Sequence, residues 1–66
     1  MRYEFVVNGA VSETTLEAFP ELSATVTPMA HTSLYGPVRD SSDMTSLLAR
    51  FADLGLEVVE LRLLPD

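Results

Sequence analysis

The chain has 66 residues, no cysteine, and ten acidic against four basic side chains, giving a formal net charge of −6. This size allows one small domain over residues 1–66, and 47% apolar with 21% charged residues is a globular rather than a disordered composition. The acidic balance argues against nucleic acid and anionic membranes as partners, and the lack of cysteine excludes a disulfide framework and a thiolate metal site.

Residues 2–8 alternate, with Tyr3, Phe5 and Val7 on one side and Arg2, Glu4, Val6 and Asn8 on the other, which predicts a half-buried strand closed by Asn8-Gly9. Residues 12–19 read as a short helix with Ser12 as N-cap and Leu16, Phe19 and Val11 toward the core. Thr14-Thr15 weakens its propensity and Pro20 ends it. Residues 22–27 alternate again, with Leu22, Ala24 and Val26 inward, and Pro28-Met29-Ala30 suits a hairpin connection. A third strand covers about 31–35, with Leu34 and later Val38 inward and His31, Ser33 and Tyr35 outward, broken by Gly36-Pro37. Met44, Leu47, Leu48, Phe51 and Leu54 then recur at helical spacing. Asp40, Ser41, Ser42 and Asp43 stand ready to cap that helix, and Gly55 stops it. The last run, 56–64, is an apolar strand with Val59, Leu61 and Leu63 on one side.

Two strand–helix–strand halves joined by a tight hairpin predict an α+β, ferredoxin-like split βαβ fold (βαββαβ): a four-stranded antiparallel sheet of order 4-1-3-2 with both helices on one face. The expected core is Tyr3, Phe5, Val7, Leu22, Ala24, Val26, Leu34, Val59, Leu61 and Leu63 against Leu16, Phe19, Met44, Leu47, Leu48, Phe51 and Leu54. The open face should then carry Arg2, Glu4, Val6, Asn8, Ser23, Thr25, Thr27, His31, Ser33, Tyr35, Leu56, Val58, Glu60, Arg62 and Leu64, with Glu4–Arg62 and Arg2–Glu60 as cross-strand ion pairs. It is a solvated sheet, a dimer surface or a ligand site. A small domain without covalent staples often gains stability by self-association, so a homodimer is expected.

Two sites suggest themselves. His31, the only histidine, shares the open face with Tyr35 and Glu4, and these three would supply acid–base chemistry if the chain is an enzyme, such as a small dimeric isomerase or cyclase. Asn8, Gly9 and Ala10 lie between the first strand and first helix, where backbone N–H groups can hold a small ligand. No metal-ligand spacing and no phosphate or dinucleotide glycine pattern is present, so no metal and no cofactor are expected. No apolar run approaches 18 residues and no charged-then-apolar leader follows Met1, so a soluble cytoplasmic protein without membrane contact is expected.

The pattern Leu47-Leu48-Ala49-Arg50-Phe51-Ala52-Asp53-Leu54-Gly55-Leu56-Glu57-Val58 resembles the second helix of ACT-type regulatory domains passing through glycine into the last strand. Gly9 falls where the first ligand-contacting glycine of that family lies. The resemblance covers the layout of most of the chain. It implies a βαββαβ module that dimerises and binds an amino acid, here through Asn8, Gly9 and Ala10. The expected function is therefore a non-enzymatic binding or regulatory module, homodimeric, with a small ligand or a protein as partner.

Overall fold

Six elements follow one another in the expected order: β1 (Arg2–Asn8), α1 (Glu13–Leu16), β2 (Ser23–Thr27), β3 (His31–Pro37), α2 (Ser41–Asp53) and β4 (Val58–Leu64). They come from a computed structural model, which describes residues 1–27 and 31–65. The connection expected at Pro28-Met29-Ala30 lies outside the described residues, and so do the side chains of Val26 and Thr27.

The strands form one antiparallel sheet of order β2-β3-β1-β4, which is the order 4-1-3-2 read from the opposite edge. β1 lies centrally, with Phe5 facing Leu34 of β3 on one side and Leu61 of β4 on the other. A bulge between Val6 and Val7 shifts the β4 register, so that Val6 faces Glu60 whereas Val7 faces Val58. One extra residue reverses which side of the sheet a strand presents. Val58 and Leu56, expected on the open face, accordingly pack against the core.

α2 is built as its sequence predicts. The Asp40 carboxylate accepts the Asp43 N–H at 2.8 Å, and Asp43 in turn accepts the Arg39 N–H at 3.0 Å. At the other end Gly55 adopts φ +72°, the Leu56 N–H reaches the Phe51 carbonyl at 2.9 Å and the Gly55 N–H reaches that of Ala52 at 3.0 Å. This pair of bonds around a left-handed glycine is the Schellman closure, and it turns the chain from helix into β4. α1 is a single turn of four residues, shorter than the expected 12–19, in keeping with its two threonines. Ser12 caps it as expected, accepting the Thr15 N–H at 3.2 Å.

The core consists of Phe5, Val7, Phe19, Leu34, Val38, Leu47 and Phe51, with Tyr3, Val11, Leu16, Leu22 and Met44 packed around it. Phe51 is its hinge-pin, 4.5 Å centroid to centroid from Phe19 and 5.1 Å from Phe5. The remaining expected core residues are not buried: Val59, Leu61, Leu63, Leu48, Leu54 and Ala24 are exposed. The reason is width. One helix with its side chains is about 10–12 Å across, enough to cover roughly two strands spaced about 4.8 Å apart. α2 covers β1 and β3, α1 adds only one turn, and Leu61 and Leu63 on the inward side of β4 are left open, whereas Val59 is the extra residue of the bulge.

β3 also runs on through Gly36 and Pro37, where a break was expected. Gly36 is buried, and a Cβ there would stand 2.9 Å from the Glu21 carbonyl oxygen and 3.0 Å from Leu22 Cδ2. Only glycine admits so close an approach of the β2 entry.

Candidate functional site

On the open face the register sets Tyr35, Glu4 and Arg62 side by side across β3, β1 and β4. Arg62 hydrogen-bonds Glu4 as expected. Its Nε also lies 3.4 Å from Glu60 on the same strand. The expected Arg2–Glu60 pair does not form, because Arg2 stands opposite Leu64.

The three acid–base candidates are not brought together. Glu4 and Tyr35 are direct cross-strand neighbours, but His31 begins β3 opposite Asn8. Four residues of strand, about 13 Å, separate His31 from Tyr35. The Glu4 carboxylate is engaged by Arg62, and His31 is exposed at the sheet's end. Among the described residues no three His, Asp or Glu side chains converge as a metal site.

Asn8, Gly9 and Ala10 form the turn after β1, and Gly9 adopts φ +87° as a glycine readily does. Several polar groups in and beside this turn have partners inside the chain. The Asn8 N–H donates to the Glu57 carbonyl at 3.0 Å and its side-chain amide to the Glu57 carboxylate at 3.3 Å. Thr32, fully buried, donates its hydroxyl proton to the Gly9 carbonyl at 3.0 Å and accepts the Val11 N–H at 3.2 Å. Sequence reasoning did not single out Thr32, although alternation with Leu34 places it on the inward side.

A cleft of about 220 Å³ opens between the start of β1 and the first turn of α2, lined by Met1, Tyr3, Val38, Asp40, Ser41 and Met44. It is smaller than the usual 300–1,000 Å³ of a ligand pocket, and none of Asn8, Gly9 or Ala10 lines it.

The most distinctive surface is apolar. Val59, Leu61 and Leu63 are 51%, 43% and 60% exposed along β4, and Leu48 and Leu54 of the α2 region are 37% and 43% exposed. β4 is also an edge strand, with hydrogen-bonding groups on its outer side free of any neighbour in the sheet. An apolar row on an open edge is the arrangement that takes up another strand or another protein surface.

The family model of a domain of unknown function, DUF8691, matches residues 2–62, all but the ends of the chain. The chain belongs to the DUF8691 family. The DUF8691 description carries no function and lends no support to the resemblance to ACT-type domains. No curated protein and no solved structure matches the chain. Among the described residues, no helix is long and apolar enough to cross a membrane.

Proposed function

We propose that this chain is a non-enzymatic interaction module that works as a homodimer, with the edge and inward row of β4 as its association surface. The observation that carries this reading is the exposure of Val59, Leu61 and Leu63 on a strand whose outer edge has no neighbour among the described residues. Burying large apolar side chains is worth about 1.5–3 kcal/mol each before entropy is subtracted, so a 66-residue domain that leaves three of them open has much to gain from a second copy.

An amino-acid ligand at Asn8, Gly9 and Ala10, as an ACT-like module would have, draws less support, because Glu57 already engages the Asn8 amide and Thr32 the Gly9 carbonyl and the Val11 N–H. The isomerase or cyclase alternative draws none from the separation of His31 from Glu4 and Tyr35.

Light scattering over a concentration series tests the proposal. The expected result is a species of twice the chain mass that dissociates on dilution. A strict monomer at millimolar concentration would overturn it.

A further inference from the structure

Resting on that homodimer reading, we infer that two copies join through β4 as antiparallel edge strands centred on Leu61, merging two four-stranded sheets into one of eight strands. The strand is self-complementary about this residue. In a two-fold antiparallel pair centred on position 61, a residue some distance before the centre faces the residue equally far after it. Glu60 then faces the partner's Arg62, and Arg62 faces the partner's Glu60. On the other side of the sheet Leu61 faces the partner's Leu61, and the strict alternation holds from Glu60 to Leu64, beyond the bulge at Val59.

The cross-strand rows already present within one chain continue through this junction. Glu4 stands beside Arg62 in the sheet, so the partner's Glu60 completes a row of carboxylate, guanidinium and carboxylate. Phe5 stands beside Leu61, so the inward row reads Phe5, Leu61 and then the partner's Leu61 and the partner's Phe5. Side chains of both Glu60 and Arg62 are more than half exposed, so the ion pairs they make within the chain, with Glu4 and with each other, can extend to a second strand.

The neighbouring registers fail on charge or on sidedness. Centring on position 60 sets Glu60 against the partner's Glu60, and centring on 62 sets Arg62 against the partner's Arg62. Like charges directly opposite are destabilising. A centre between two residues would set the leucine row of one copy against the charged row of the other. The second sheet edge, β2, offers a shorter strand reading Ser-Ala-Thr-Val-Thr, with neither a charge pair nor a row of large apolar side chains. A lone pair of charges can also guard an edge against pairing. Opposite signs placed symmetrically about Leu61 make the same two residues a match for a second copy.

The chain has no cysteine, so single cysteines report the register directly. Cα atoms opposite each other in an antiparallel pair stand about 4.5–5.5 Å apart, within disulfide reach, whereas four positions along a strand is about 13 Å and beyond it. Under mild oxidation L61C is expected to give a disulfide-linked dimer that reductant releases. L63C, four positions from the partner's Leu63 in this register, is expected to stay unlinked. E60R, which twice sets guanidinium against guanidinium, is expected to weaken dimerisation about tenfold.

Cross-linking of L61C no better than of L63C, or an E60R dimer of undiminished affinity, would overturn the register. A dimer seen by light scattering would then keep the broader reading alive. A monomer at every concentration, with no disulfide-linked species from any variant, would end both and leave the β4 edge to a different protein.

Discussion

Phe5 and Leu61 stand directly opposite each other on neighbouring strands, yet Phe5 is wholly buried and Leu61 is 43% exposed. The Phe51 ring of α2, 5.1 Å from that of Phe5, closes one half of the row and stops short of the other. Two residues of similar hydrophobicity thus serve different ends. Phe5 holds the fold together, whereas Leu61 offers apolar surface to whatever meets the edge.

The first prediction separates these roles. Phe51→Ala removes a ring stacked on Phe19 and tilted against Phe5 and is expected to cost about 3–5 kcal/mol, a large part of the stability of so small a domain. Leu61→Ser is expected to cost the monomer no more than about 1 kcal/mol while abolishing association. Urea denaturation of dilute samples reads the first quantity and light scattering the second. An L61S monomer as unstable as F51A would place Leu61 in the core after all.

The contrast also shows how far the sequence could be read. Strand alternation, the helical stripe and the caps of α2 are local patterns, and all four strands, both helices and the strand order follow from them. Whether an apolar strand face is covered is not local: it depends on the width of the helix layer, and a four-residue α1 beside one longer helix is too narrow for four strands. The β4 bulge likewise escapes a period-two reading, since Val58 and Val59 are chemically alike and either can take the inward position. Of the candidate site residues, Glu4 and Tyr35 meet because their strands pair in register, and His31 falls away because it lies four residues further along β3. The buried hydroxyl of Thr32 gives no signal in composition, because threonine on a strand usually faces water.

Thr32→Val tests whether that hydroxyl holds the turn after β1. The substitution keeps the shape but leaves the Gly9 carbonyl and the Val11 N–H without their partner. Removing one member of a buried hydrogen-bonded set costs about 1–3 kcal/mol. The expected outcome is a melting temperature lower by several degrees together with faster hydrogen exchange at the Val11 amide. Unchanged protection of that amide would show that the turn keeps its own conformation.

Gly36 and Gly55 answer to different constraints. Gly36→Ala places a methyl 2.9 Å from the Glu21 carbonyl oxygen, a backbone atom that can yield only if the β2 entry shifts. A cost of about 1–3 kcal/mol is expected, with amide shifts spreading through residues 20–23. Gly55→Ala meets no atom within 4 Å, so only the strain of φ +72° remains, about 1–2 kcal/mol, and the disturbance should stay at the helix end. NMR shift maps of the two variants distinguish clash from strain. A G36A map confined to its own strand would sink the close-approach account.

Arg50 and Glu21 give the last prediction, which concerns pH. The Arg50 guanidinium donates to both Glu21 carboxylate oxygens at 2.9 and 3.0 Å, donates to the Ala18 carbonyl at 3.0 Å, and stands 5.4 Å from the centre of the Phe19 ring. The hydrogen bond from Arg50 holds the Glu21 carboxyl below its ordinary value, against a smaller opposing effect of burial. A carboxyl lowered in the folded state adds stability that is present above its unfolded value, near 4.3, and is lost as pH falls through the folded value. Both side chains are more than a third exposed, so the ion pair itself is worth only some tenths of a kcal/mol. Glu21→Gln is therefore expected to differ slightly from the parent chain at pH 7 and to converge on it as the pH falls through the lowered value of the Glu21 carboxyl. Arg50→Met also loses the Ala18 bond and the contact with Phe19, which do not titrate in this range. Its deficit of about 1–2 kcal/mol should shrink on acidification but persist. Urea denaturation from pH 7 to pH 3 measures both. An E21Q deficit that grew as the pH fell would reverse the sign of the linkage and refute the assignment.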